Sequence, residues 1–270
     1  MSITINSARC VKCGQCVQEC PVYVIRQNSD GAAEIKPERE SDCISCQHCM
    51  ALCPAEAISV NGISPEKCVP SGALPSEDSM MNLIRQRRSI RSWSKEPLDE
   101  STLLKLQSVL DWTPTGCNIR NLHFTFVTKP EIFDHLRKCI YGFLNRPIIN
   151  WFLRLRYKPF RPYLDEIAAG TDVVFRNAPY MVIASVNKKA PCAAFDPVIA
   201  LSYFDLYAQS LGVGTCWCGF AEGVFRKYPR LVTGIQLPAG YRPGAVMLFG
   251  KPGVSYPRST AQGTFEKQIL

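Results

Sequence analysis

The sequence predicts an α+β protein of two domains, and three observations carry that expectation. Eight of the 14 cysteines fall within the first 53 residues. Residues 1–70 carry six basic against eight acidic side chains, a net −2, so the rest of the chain holds +10 of the overall +8. Beyond residue 75 the apolar pattern alternates between helical and strand periods, as in an α+β or mixed α/β domain of about 190 residues. Ser64–Asp78, SPEKCVPSGALPSED, is rich in proline and small polar residues and reads as a stiff linker. Residues 1–63 are therefore expected to form a small cysteine-rich domain, 64–79 a linker and 80–270 a larger α+β domain.

The small domain contains an internal repeat. Cys10-Val-Lys-Cys13-Gly-Gln-Cys16-Val-Gln-Glu-Cys20-Pro21 is echoed by Cys43-Ile-Ser-Cys46-Gln-His-Cys49-Met-Ala-Leu-Cys53-Pro54. Each copy runs on into an apolar, strand-like piece, Val22–Ile25 and Ala57–Val60, which predicts a pseudo-twofold unit. In the larger domain Met80–Arg87 reads as a short helix. Asp99 or Ser101 caps a second over STLLKLQSVLDW. Leu122–Val127 and Tyr180–Val186 read as strands. Asp196-Pro197 opens a helix running to Leu211, with Gly212 just past its end. It is apolar nearly all round, so it is expected to be central and buried. Ala245–Phe249 is the last buried strand.

Composition narrows the function classes. Apolar residues make up 46% and charged residues 20%, which excludes wholesale disorder. A charge of +8 suggests an anionic partner: nucleic acid, a membrane surface or a phosphate. Fourteen cysteines are too few for a disulfide-dense scaffold of this length and too many for packing alone. The opening MSITINSARC has neither the basic start nor the apolar core of a signal peptide, so a cytoplasmic location with reduced thiols is expected. The longest apolar stretch, Cys139–Leu153, is broken by Asn145, Arg146 and Asn150 and falls short of a membrane span.

The spacing C-x2-C-x2-C-x3-C-P is a ligand run for iron–sulfur clusters, in which the fourth cysteine serves the other cluster. That rule assigns Cys10, Cys13, Cys16 and Cys53 to one 4Fe–4S cluster and Cys43, Cys46, Cys49 and Cys20 to the second. Zinc is the rival, but two C-x2-C pairs would satisfy it and leave half the cysteines unexplained. His48 reads as a neighbour of the cluster rather than a ligand. On these eight cysteines and two prolines, residues 1 to about 63 resemble a bacterial dicluster ferredoxin.

The larger domain has neither a G-x-G-x-x-G turn after a strand nor a phosphate-loop lysine motif. It does have Arg87-Arg88-Ser89-Ile90-Arg91, a basic group able to grip a phosphate. Then follow Pro114-Thr115-Gly116-Cys117-Asn118, Gly212-Val-Gly-Thr-Cys-Trp-Cys-Gly219-Phe220 and Phe249-Gly250-Lys251-Pro252. In that order these segments resemble the FMN-dependent nitroreductase family over residues 80–270. The resemblance implies an α+β fold, a homodimer and FMN in a cleft at the subunit interface. It places Arg87, Arg88, Ser89 and Arg91 at the FMN phosphate and ribityl chain, joined by Lys251 and Arg258. Pro114, Thr115, Gly116 and Asn118 would approach the flavin ring from the partner subunit. Cys216, Trp217, Cys218 and Gly219 would line the ring near N5. Cys218 stands where many members carry Glu or an aliphatic residue, so either a backbone N–H or a thiol faces N5. Both thiols are read as packing beside the ring, with a redox role as the alternative.

Cys117, Cys139 and Cys192 are expected to be small buried hydrophobes; Cys68 has no evident partner, and His123 and His135 no assigned chemistry. The basic, aromatic segment Tyr141–Leu164 corresponds to a region that in this family rims the substrate pocket or embraces the other subunit; contact with a membrane surface or nucleic acid are its alternatives. Together these readings imply an oxidoreductase: an external donor (a ferredoxin, a flavoprotein or NAD(P)H) would supply the clusters, these would supply FMN, and hydride would pass to a small-molecule acceptor such as a nitroaromatic or quinone. Ene reduction, dehalogenation and dehydrogenation are alternatives with the same cofactors, and a non-enzymatic electron carrier or redox sensor is the alternative from another class. Two clusters with their thiolates (about −4) and one flavin phosphate (about −2) leave roughly +2 on the loaded protein, which weakens the case for nucleic acid.

Overall fold

The computed structural model describes residues 3–228, 234–261 and 263–269. By its internal contacts the chain divides into one unit of Met1–Leu74 with Cys117–Ile119, and a second of Pro75–Gly116 with Arg120–Leu270.

In the first unit, strands from opposite ends of the cysteine repeat pair with one another. β1 (Ile3–Ile5) runs antiparallel to β4 (Ile58–Val60) with Ile3 opposite Val60, while β2 (Ile25–Gln27) and β3 (Ala33–Ile35) form a second antiparallel pair. Two short helices, α1 (Gln15–Glu19) and α2 (His48–Ala51), follow the second cysteine of each copy. The repeat is reproduced in the backbone: Lys12, Gly14 and Tyr23 all have positive φ, and so do Ser45, Gln47 and Glu56, each 33 residues on. Glycine adopts this conformation freely at position 14, whereas Gln47 holds it against a steric cost. The core between the strands is Ile3, Val24, Ile25, Met50, Ile58 and Val60 packed with the cysteines, and Cys68 packs against it.

The second unit begins with α3 (Glu77–Gln86), capped by the Ser76 side chain, and α4 (Glu100–Ser108), whose first turn is capped by the Asp99 carboxylate at 2.8 Å from the Thr102 amide. Then come β5 (Leu122–Val127), α5 (Pro130–Leu144), α6 (Pro147–Arg156), α7 (Arg161–Ala168), β6 (Tyr180–Asn187), α8 (Asp196–Ser210), β7 (Gly214–Trp217), α9 (Gly219–Lys227) and β8 (Tyr241–Gly250). The strands form one sheet in the order β5–β6–β8–β7, antiparallel throughout. Successive side chains of a strand face opposite sides. Met181, Ile183 and Leu248 therefore enter a core with Phe133, Leu136 and Ile140 of α5, and Val182, Met247 and Phe249 enter another with Leu201 and Phe204 of α8. With both faces covered, β6 and β8 are nearly continuous apolar runs. The α+β expectation holds.

Two expectations are corrected. α8 buries only one side, because Val198, Ile199 and Tyr203 are solvent-exposed along the other; an all-round apolar sequence marks both faces as dry without saying what dries them. Nor are Cys117, Cys139 and Cys192 fully buried. Cys117 sits in an exposed left-handed turn, Cys139 lies on the outer side of α5 with its sulfur 3.6 Å from His135 Nε2, and Cys192 packs against Gly116 from a turn. Among the described residues no helix is long and apolar enough to cross a membrane.

Candidate functional site

The first unit brings its cysteines into two groups. The Cys16 thiol is pushed up by burial and then by the nearby Cys13, Cys53 and Cys10. That of Cys49 is pushed up to about 12, by burial first and then by Cys46, Cys20, Cys16 and Cys43. Cys16 thus has Cys10, Cys13 and Cys53 around it and Cys49 has Cys20, Cys43 and Cys46, with Cys16 close to both groups. So many thiols can ionise side by side only against a strong positive charge. The backbone is arranged to accept thiolates. The Ser45 and Ala57 amides donate to the sulfurs of Cys43 and Cys53 at 3.3 Å. The amides of Ala33 and Lys12 hold the Cys10 thiol below its ordinary value. Left-handed residues recur in each loop, at Lys12 and Gly14 and at Ser45 and Gln47, a backbone form able to present successive N–H groups to an anion. Among the described residues no three His, Cys or carboxylate side chains converge as they would around a single metal ion. Cysteines gripping the corners of a four-iron cubane stand further apart than that. The residues present fit two clusters. His48 is exposed, with Nδ1 3.7 Å from Glu19.

In the second unit, Arg91 and the run Cys216–Gly219 line one cavity of about 260 Å3. The segment after α3 reaches it by joining the edge of β7: the Ile90 amide donates to Thr215 O at 2.7 Å, and Ser89 bridges Thr215. Phe160, Tyr163, Trp217 and Phe220 supply an aromatic wall and Val173, Val174 and Leu248 an aliphatic one. Arg176 also lines the cavity, giving it two cations.

The Cys218 thiol does not face this space as a nucleophile. Its sulfur donates to Val174 O at 3.2 Å, its amide donates to Val246 O at 2.9 Å, and burial pushes its thiol up to about 12. Cys216 is likewise pushed up by burial, against the pull of Arg91 and Arg176. Gly219 opens α9, so its N–H belongs to the first-turn donors that have no partner within the helix.

The remaining predicted residues are distributed around this cavity and beside it. Arg88 and Arg258 line a second cavity of about 210 Å3. Lys251 forms an exposed pair with Glu96 at 2.9 Å. Arg87 lies 3.6 Å from Asp205. Two of these guanidinium atoms, Arg87 Nη1 and Arg88 Nε, are buried and make no hydrogen bond among the described residues. Arg87 Nη1 already has the buried Asp205 carboxylate at 3.6 Å, so Arg88 Nε is the buried donor left for an added anion to satisfy. The residues present thus fit a phosphate. Pro114, Thr115, Gly116 and Asn118 are not among the residues lining the 260 Å3 cavity. Thr115 Oγ1 accepts from the Arg120 amide and the Gly116 amide donates to Asp196. Asn118, within the first unit, donates to the carbonyls of Ile44 and Ser45 at 3.0 Å.

A family model for "Nitroreductase family" matches residues 84–251. The chain belongs to the nitroreductase family. A model for "4Fe-4S dicluster domain" matches residues 5–57, so the chain joins such a domain to a nitroreductase domain. Similar solved structures include a nitroreductase with bound FMN from Bacteroides fragilis NCTC 9343, 21% identical, covering 73% of this chain and 100% of that one at a TM-score of 0.59. An FMN-dependent nitroreductase from Clostridium difficile R20291 is 18% identical over 72% of this chain and 100% of its own, with a TM-score of 0.52. A nitroreductase with bound FMN from Desulfitobacterium hafniense DCB-2 is 20% identical over 70% and 98%, with a TM-score of 0.50. The likeness is one of fold. No protein of curated function matches the chain.

Three residues of the nitroreductase domain escape sequence reasoning. Asp205, buried on α8, accepts from Thr215 and from the Trp217 indole (3.3 Å) and faces Arg87. It ties the arginine segment to the cavity wall. Asp172, also buried, accepts from Tyr141, from Arg137 Nε at 2.9 Å and from the amides of Phe175 and Asn177. It fixes the turn in which Arg176 and Asn177 both take positive φ. Arg176 is the second cation of the cavity. The only available signal was an acidic residue inside an otherwise apolar helix, at Asp205.

Proposed function

We propose that the chain is an iron–sulfur flavoprotein oxidoreductase that binds FMN along Arg87–Arg91 and Cys216–Gly219 and reduces a small electrophilic acceptor. The observation that carries this reading is the 260 Å3 cavity, which joins Arg91 to the Cys216–Gly219 run under an aromatic wall. The clusters, when bound, carry single electrons and FMN accepts one or two, so that a hydride can be delivered to a nitroaromatic, quinone or related acceptor.

The chain's own residues bind, orient and exclude water. Cys10, Cys13, Cys16 and Cys53 hold one cluster and Cys43, Cys46, Cys49 and Cys20 the other. Arg87, Arg88, Ser89 and Arg91, with Lys251 and Arg258, supply the phosphate end; the Lys251–Glu96 pair is exposed and weak enough to yield. Cys216, Trp217, Cys218 and Gly219 form the ring side. There the N–H of Gly219 is the donor available to N5, since the thiol and amide of Cys218 are both engaged. Phe160, Tyr163 and Phe220 shape the acceptor's side, and the proton comes from water. Pro114, Thr115, Gly116 and Asn118 act across a homodimer interface. Support for that dimer comes from the exposed apolar face of α8, Val198, Ile199 and Tyr203, which carries no charge.

Anaerobic purification tests the reading. About eight iron and eight sulfide per chain, one FMN and oxidation of the dithionite-reduced protein by a nitro, quinone or enone panel are expected. A flavin-free protein overturns it. Arg88→Ala combined with Ser89→Ala is expected to release FMN; its retention refutes the phosphate assignment.

A further inference from the structure

α6, PIINWFLRLR, follows the helical period with its apolar stripe turned outward. Ile148, Trp151, Phe152 and Leu155, at i, i+3, i+4 and i+7, are between 51% and 78% exposed, and no residue of the helix is fully buried. Leu153, on the inner side, packs against the core, so the helix is anchored by one side and offers the other. From 146 to 166 the chain carries Arg146, Arg154, Arg156, Lys158 and Arg161 against Asp165 and Glu166. Arg154 is paired with Asp165 at 2.6 Å, and Arg156 lies over the Tyr157 ring.

A second exposed apolar face, that of α8, carries no charge, and a second copy of the chain fits it. The α6 face differs because it is bordered by cations. An isologous contact there would set these cations against their own kind, whereas an anionic surface satisfies apolar stripe and basic border together. Trp and Phe at the centre with Arg and Lys at the flanks is the pattern of a helix lying in a lipid headgroup layer.

We propose that the outer face of α6 seats the protein on an anionic lipid bilayer, with Ile148, Trp151, Phe152 and Leu155 entering the headgroup boundary and the flanking basic side chains contacting lipid phosphates and carboxylates. Phe160 and Tyr163, a few residues further along the same excursion, line the 260 Å3 cavity. The acceptor class favoured by this arrangement is an apolar electrophile dissolved in the membrane. That last clause rests on the reading of the cavity given above; lipid binding does not.

Vesicle sedimentation of the loaded full-length protein tests it. The protein is expected to pellet with phosphatidylcholine vesicles carrying about 30% phosphatidylserine, and to be released as salt rises from about 0.05 M to about 0.5 M. Trp151→Glu and, separately, Arg156→Glu are expected to weaken vesicle binding about tenfold or more while iron content, flavin content and turnover of a water-soluble acceptor stay unchanged. Equal partitioning into neutral and anionic vesicles, or none, overturns the proposal. So does a Trp151→Glu protein that binds vesicles normally but changes its oligomeric mass, which would assign the face to a second copy. Loss of turnover with vesicle-borne acceptors alone supports the acceptor clause. Absence of turnover with any acceptor counts against the proposed function and leaves the sedimentation result standing.

Discussion

Cys16, buried, and Cys49, half-buried, hold the middle of the cysteine arrangement, each near thiols from both copies of the repeat. Crossed ligation makes a prediction that pairing within each copy does not. Cys53→Ser is expected to disturb the same cluster as Cys13→Ser, and Cys20→Ser the same one as Cys46→Ser, with iron falling from about eight toward about four. Electron paramagnetic resonance of the reduced variants reads which signal is lost. At Asp172 two influences compete: burial, the largest, raises its pKa, while hydrogen bonds from Tyr141, Asn177, Phe175 and Arg137 together outweigh it and hold the carboxyl below its ordinary value. A depressed carboxylate stabilises the fold above the ordinary carboxylate range, and the contribution disappears as pH falls through its folded value. Asp172→Asn is therefore expected to cost about 3 kcal/mol at neutral pH, a deficit that narrows in acid. Denaturant melts of both proteins from neutral pH down toward pH 3 measure it; a constant gap would refute the assignment. Asp205 and Arg176 are not legible in the sequence, because an ion pair and a cavity-lining cation are made by residues far apart along the chain.

Among the elements, the edge of β7 decides where the arginine segment lies. A Cβ at Gly214 would meet Ile90 Cγ1 at 2.6 Å and Pro252 Cγ at 3.1 Å. Gly214→Val is thus expected to push Arg87–Arg91 off the strand, costing about 1–3 kcal/mol of stability and releasing FMN. Flavin retained on gel filtration at wild-type stoichiometry would show that the close approach is not needed. The helices and strands themselves were readable: Asp99 as a cap, Leu122–Val127 as β5 and Asp196-Pro197 as the opening of α8 appear as expected. Caps and periodicity are local, so local sequence encodes them. The exposed faces of α6 and α8 were not distinguishable from core-facing stripes, because an apolar stripe states that it must be covered and not by what.

At the scale of the whole molecule the two units keep separate cores: Ile3, Val24, Ile25, Met50, Ile58 and Val60 in one, the two sheets of side chains about β6 and β8 in the other. A core of that first size is too small to hold a fold without covalent or metal staples. Iron removal by a chelator under reducing conditions is expected to open the first unit to protease while the nitroreductase domain keeps its circular dichroism and its flavin. A first unit that stays protease-resistant without iron would contradict this.

The sequence by itself determined the two chemistries and their order along the chain. Cluster ligation depends on spacing between near neighbours, and the flavin-type segments follow a fixed order, so both survive as text. Tertiary structure alone decided that Cys218 is sealed by Val174 and Val246, that Arg88 and Arg91 open onto different cavities, and that Asp205 and Asp172 brace the walls. These depend on contacts across tens of residues and on which side of an antiparallel sheet each side chain falls. Only the register of the assembled strands fixes that.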